Sequence, residues 1–200
     1  MNRIAASERR ERLVDAAIAV MVRDGVSAAT TRAIVAEADM PLGSFHYCFR
    51  SKEELLGEVI AVITGHTLER ALSEVAGGGA LEERLCRAMR AYWQHVVDEP
   101  GEHRLTYELT QYAARQPGLA VVAERQYETY LAANTRLIEA LTGDDGERLE
   151  WSVPVPVLAR YVTAALDGVT LLYLNEGNAT AAGEALELVA RHVAELAGRA

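Results

Sequence analysis

Between residues 7 and 52 the apolar positions recur at helical spacing in short bursts, and the interruptions fall where helices end. Leu13, Ala17, Val20 and Met21 line one side of a first helix that Ser7 would cap and Gly25 would close. Thr30 or Thr31 then caps a second, short helix, supplying a side-chain oxygen to an otherwise unpaired backbone N–H. Ile34, Val35 and Ala38 fall on its inner face. The pattern breaks at Asp39-Met40, and Pro41 restarts it, since the missing N–H of proline costs nothing in a first turn. The third helix is unusual, because Gly43, Ser44, His46 and Tyr47 are small, polar or aromatic and Phe45 is its one strong apolar anchor. Such a helix has little apolar surface to bury. Its outer face suits contact with something polar, and a helix-turn-helix laid in the DNA major groove has this pattern.

Beyond Ser51, which caps a fourth helix with Lys52, Glu53 and Glu54 in its opening turn, the helices lengthen. Leu55, Leu56, Val59, Val62 and Ile63 carry that helix to about Val75, and Gly77-Gly78-Gly79 breaks it. No strand precedes the glycines and no Lys-Ser/Thr follows, so they connect helices rather than cradle phosphate. Further helices are expected over about 80–97, 102–115 and 119–142, the last stopping at Gly143-Asp144-Asp145-Gly146, and then over 157–174 and 180–197. No run alternates with strand period, so the expected fold is all-α. It divides into an N-terminal three-helix helix-turn-helix domain over 1–52 and a larger helical regulatory domain over 53–200. The 157–174 segment is apolar around most of its circumference, whereas a surface helix needs only one stripe. It is therefore central in its own domain or buried against another subunit.

Three segments, Thr30-Thr31-Arg32-Ala33-Ile34, Leu42 to Phe49 (LGSFHYCF) and Arg50-Ser51-Lys52-Glu53-Glu54-Leu55, resemble the signature of the TetR (tetracycline-repressor-like) transcriptional regulators. The likeness is motif-level over about residues 10–60 and architectural beyond. Val35 stands where the family usually has Ala, Asp39 where it has Gly, His46 where it has Tyr and Cys48 where it often has His. Asp enters the left-handed region readily, so the turn should survive. Within this motif Leu42, Gly43 and Ser44 are assigned to base edges, and His46, Tyr47 and Lys52 to phosphates. Thr30, Thr31, Arg32 and Pro41 add contacts beside them, while Phe45 and Phe49 are structural. The resemblance implies a homodimer on double-stranded, palindromic operator DNA. It also implies a four-helix dimer interface from the last two long helices, here with Leu158, Val162, Leu166, Val169, Leu186, Val189 and Val193, and a small-molecule effector.

Candidate effector contacts are the polar-tipped aromatics and amides on helices that otherwise read as core: Tyr92, Trp93, His95, Tyr107, Thr110, Gln111, Tyr127, Tyr130, Asn134 and Tyr161. Asp167 joins them, since a carboxylate in so apolar a helix must be paired or meet a wet interface. Such side chains line small-molecule cavities, and equally they sit at helix surfaces or dimer rims. The family resemblance favours the cavity.

A net charge of −9 argues against a nucleic-acid partner only as an average. Residues 1–52 hold eight basic and six acidic side chains, the remaining 148 hold 12 and 23, and the sole lysine, Lys52, follows the reading helix. A basic end can meet phosphate while an acidic body stays soluble. Cys48 and Cys86 have neither metal nor redox spacing and read as free thiols of a reducing compartment. The N-terminal MNRIAASERRER has no signal-like apolar core and no window reaches the ~18–20 uninterrupted apolar residues of a membrane span, so a cytoplasmic protein is expected. There is no G-x-S-x-G or H-E-x-x-H, and histidines 46, 66, 95, 103 and 192 show no ligand spacing. No catalytic residue, metal or cofactor is therefore expected. The reading is a ligand-responsive, DNA-binding repressor. Its rivals are an activator or ligand-independent DNA binder, and an all-α enzyme or ligand carrier whose N-terminal motif is only structural.

Overall fold

The computed structural model describes residues 5–141 and 149–199, and nine α-helices carry these residues. They are α1 (Ala6–Asp24), α2 (Thr31–Glu37), α3 (Gly43–Cys48), α4 (Lys52–Val75), α5 (Leu81–Asp98), α6 (Pro100–Arg115), α7 (Ala120–Leu141), α8 (Val155–Glu176) and α9 (Ala179–Glu195). A single 3-10 turn, Val26–Ala28, lies between α1 and α2. The expected stop at Gly143–Gly146 lies outside the described residues. Two short strands, β1 (Leu149–Trp151) and β2 (Ala197–Arg199), pair antiparallel with Glu150 opposite Gly198. The expected all-α fold holds, and these strands of three residues each are too short to show alternation in the sequence. Ser7 does not cap α1. The helix starts two residues earlier, with Ala5 at the cap position and no side-chain cap.

By packing, the described chain forms two compact units. The first comprises residues up to 63 with 101–127, and the second comprises 64–100 with 128 onward. In the first, Leu13, Ile34, Phe45, Phe49, Leu55, Leu105 and Leu109 share one buried cluster. In the second, α9 packs on both α5 and α8, around Leu85, Met89, Ile138, Leu158 and Leu186. Helix α8 has the length and hydropathy of a membrane span, yet Leu158, Ala159, Val162, Thr170 and Leu174 are buried within its unit.

The reader is held by local devices, one long-range bond from α6 and an arginine clamp. Thr30 Oγ1 accepts the Ala33 N–H at 3.2 Å, so Thr30 rather than Thr31 caps α2. Gly25, at φ 88°, returns its N–H to Met21 O and closes α1. The Glu108 carboxylate on α6 accepts the next N–H, that of Val26, at 2.8 Å. Ser51 Oγ accepts the Glu54 N–H, and the Glu54 carboxylate takes the N–H of Arg50 at 2.9 Å, a variant of the capping box at the start of α4. That bond, and then Arg10, pulls the Glu54 carboxyl below its ordinary value. Arg10 is the clamp. It donates to Cys48 O at 2.6 Å, Glu54 at 2.9 Å and Glu58 at 2.8 Å, with its guanidinium carbon 4.3 Å from the Phe49 ring centroid.

Asp39 is the one non-glycine residue with positive φ among those described, at 52°. An L side chain in this region costs about 1–2 kcal/mol, and Asp and Asn bear it best. Asp39→Val should therefore lower stability by about 1–2 kcal/mol, because a β-branched side chain tolerates this region poorly. Asp39→Gly should stay within about 1 kcal/mol of the parent. Urea unfolding of the three proteins measures both.

Candidate nucleic-acid interface and regulatory unit

Helix α3 is six residues long, and its orientation is set by the two rings it buries. Phe45 and Phe49 are 3% and 1% exposed, with centroids 5.7 Å apart. With those rings inward, Pro41, Leu42, Gly43, His46 and Tyr47 are exposed and Ser44 is half-buried. Tyr47 is 70% exposed, so it is a surface residue rather than packing. Nothing lies within 4 Å of where a Cβ on Gly43 would sit. The protein interior therefore does not demand glycine there, and the bare backbone is available to an approaching partner.

Around this face lie the cations. Arg32 is exposed on α2, and Thr31 beside it is half-buried. Lys52 is half-buried, its Nζ 5.1 Å from the Tyr112 ring centroid, a cation–π contact that restrains a side chain expected to reach phosphate. Arg9, which the sequence reading counted only as charge, lies 4.9 Å over the Tyr47 ring. Its place in the Glu8-Arg9-Arg10-Glu11-Arg12 run says nothing of that ring. Only the crossing of α1 with α3 brings the two together.

The candidate effector residues separate into three groups. Tyr92, Tyr130, Asn134 and Asp167 belong to the second unit, where Tyr92 Oη shares a hydrogen bond with Thr170 Oγ1 at 2.7 Å and Asn134 donates to Thr163 Oγ1 at 2.9 Å. Burial pushes the Tyr92 phenol well above its ordinary range, with the Asp167 charge adding to it. Trp93 and His95 share that unit. Trp93 packs edge-on to Tyr173 at 4.8 Å and against Gly183, while His95 is 2% exposed with its ring 6.0 Å from that of His66. Tyr107, Thr110, Gln111 and Tyr127 belong to the first unit. There Thr110 donates to the buried Gln126, which donates to Thr106 O, so Thr110 ties α6 to α7; Gln126 escaped the sequence reading. Tyr161 stands apart on an exposed face, its hydroxyl 2.8 Å from His192 Nδ1.

The interface residues require a correction. Leu158, Val162, Leu186 and Val193 are 0–3% exposed and form core inside the second unit, and Leu166, Val169 and Val189 are partly buried against it. The apolar side chains that α8 and α9 expose are Val157, Tyr161, Leu171, Leu172 and Leu188. Helix α8 is apolar on both sides; Leu158 and Val162 stand on the side that enters the protomer core, with Leu186 and Val193 of α9, whereas Val189 also borders the exposed face. An open groove of about 530 Å³ runs along this exposed face, lined by Tyr161, Leu188, Val189, Arg191, His192 and Glu195.

Residues 13–59 match the model of bacterial regulatory proteins of the tetR family, and residues 81–198 match that of the BetI-type transcriptional repressor C-terminal region. The chain is 29% identical over 172 residues to the HTH-type nicotine-responsive transcriptional repressor HdnoR of Paenarthrobacter nicotinovorans, covering 86% of each. Among solved structures it is similar to a transcriptional regulator of Streptomyces coelicolor A3(2), with 26% identity, 92% and 98% of the two chains covered and a TM-score of 0.70. It is also similar to the multidrug binding protein EbrR complexed with imidazole, with 28% identity, 93% and 95% coverage and a TM-score of 0.63.

Proposed function

Since the chain belongs to the tetR family of bacterial regulatory proteins, ligand-responsive DNA-binding repressors, we propose that it acts in the cytoplasm as a homodimer that holds a palindromic operator and leaves it when a small effector binds. One observation carries the reading: Phe45 and Phe49 turn α3 so that Leu42, Gly43, His46 and Tyr47 face outward together. Leu42 and Gly43 meet base edges, with Ser44 at their margin. His46, Tyr47, Lys52 and Arg32 meet phosphates, with Arg9 added to that set by its position over Tyr47. A two-fold symmetric pair sets two such helices about one DNA turn apart, ~34–36 Å, so that they enter successive major grooves.

The division of labour follows the chain at 52/53: reading before it, effector binding and dimerisation after it. Release is a population shift. The effector favours conformers whose paired readers no longer match the groove spacing, and it moves the balance only by its difference in affinity for the two states. HdnoR is described as nicotine-responsive and EbrR was solved with imidazole, which supports a small organic effector here.

The test is anisotropy titration of a fluorescent fragment from upstream of the gene, across a salt series. The parent should bind with a steep negative salt slope. Lys52→Ala should weaken all sequences alike and flatten the slope by about one, the signature of one lost phosphate contact. Failure to bind any upstream fragment at low salt would overturn the proposal.

A further inference from the structure

The helices that read and the helix that supports them are not consecutive in the chain. Residues 101–127, which carry α6 and the start of α7, pack in the same compact unit as α1 to α3 and the first half of α4. Leu105, Leu109 and Ala113 of α6 are buried in the core of that unit, and Tyr112 packs at its margin. Glu108, one turn before Tyr112, accepts the Val26 N–H just ahead of α2. Tyr112 itself meets Lys52, whose Nζ is 5.1 Å from the ring centroid. Both side chains are half-buried. The neighbouring carboxylate, Glu53, is engaged by Arg125 of α7 at 3.1 Å, and among the described residues Lys52 makes no ion pair.

The kind of partner matters here. A carboxylate beside Lys52 would neutralise its charge and compete with phosphate, whereas a ring face attracts the ammonium without cancelling that charge. An ammonium has three N–H donors, so a ring on one side leaves donors for a phosphate on the other. The flexible four-carbon stem of lysine is costly to order at an interface, and a lysine already held has less freedom left to lose. Resting on the regulatory reading above, we propose that Tyr112 is a positioning residue for operator binding: its ring holds the Lys52 ammonium in place before DNA arrives, and the contact persists in the complex. A residue far downstream of the reading helices thereby tunes their grip on phosphate.

Lys52 is the sole lysine of the chain, so selective ¹³C-lysine labelling of the full-length protein yields one lysine side chain to follow by NMR. Its ε-methylene signals should stand upfield through the ring current of Tyr112 and stay there when the upstream DNA fragment is added. Tyr112→Leu should return them to the position of free lysine. In anisotropy titrations Tyr112→Leu should weaken binding by about two- to fivefold per protomer, the scale of an exposed cation–π contact. The salt slope should not change, because the phosphate contact is still made. Tyr112→Phe, which keeps the ring, should restore parental binding. In a Lys52→Ala background Tyr112→Leu should have no further effect, a result that a purely structural tyrosine would not give. Signals that leave the upfield position on adding DNA, tighter binding by Tyr112→Leu, or an equal loss in the Lys52→Ala background overturns the proposal. Should Tyr112→Leu fail to fold in melting curves, the Lys52 signals of the parent with and without DNA decide. A parent that binds no fragment overturns the regulatory reading and this inference with it. A parent that binds and gives any of those three results overturns this inference alone.

Discussion

Phe49→Ala is expected to cost about 3–5 kcal/mol and to abolish operator binding. The ring is 1% exposed, with Phe45 on one side and the Arg10 guanidinium 4.3 Å from its centroid. Truncation removes the apolar anchor that closes α3 and also leaves Arg10 without the surface it covers. Arg10 loses orientation toward Cys48 O, Glu54 and Glu58 as well, so the losses at this point are coupled rather than independent. Tyr47→Ala supplies the contrast. At 70% exposure its ring contributes little to the fold, and its removal should cost no more than about 0.5 kcal/mol while weakening DNA binding. Urea unfolding followed by circular dichroism, paired with anisotropy titration of both variants, separates the anchor from the contact. Equal stability of Phe49→Ala and the parent would mean that α3 is not held by this ring.

The same contrast marks what the chain discloses before any coordinates are known. Local chemistry was legible. The Thr30 cap, the left-handed Asp39, the Gly25 stop and the Ser51 start each depend on residues within about one turn of each other. Arg10 and Glu108 were not, because their partners lie 38 to 48 and 82 positions away and no spacing rule reaches so far. Helix α8 was misread in phase. A helix apolar all round has no continuous polar side to say which stripe enters its own core, so the buried Leu158 and Val162 were taken for the outer surface. Polar-tipped aromatics were equally ambiguous. Tyr92 and Tyr161 are alike in sequence context, but one pairs with Thr170 in the interior and the other with His192 on an exposed face.

That phase error makes the dimer the sharpest remaining test. Leu172→Glu with Leu188→Glu should convert the protein to a monomer and reduce operator affinity by about 10²–10⁴-fold, the scale on which linking two binding modules raises affinity. Leu172 and Leu188 are 63% and 62% exposed, so charging them removes no core contact and should change protomer stability by no more than about 0.5 kcal/mol. In an assembly that covers this face, each copy would bury two carboxylates among apolar side chains, and their desolvation costs more than Arg191 at the groove returns. Val162→Glu is the opposite case, since at 3% exposure it places a charge inside the protomer and should unfold the second unit whether or not a dimer forms. Sedimentation velocity with melting curves distinguishes the two. If the double variant remains a dimer of parental stability, the exposed stripe of Val157, Tyr161, Leu171, Leu172 and Leu188 is not the contact, and association must use a different surface.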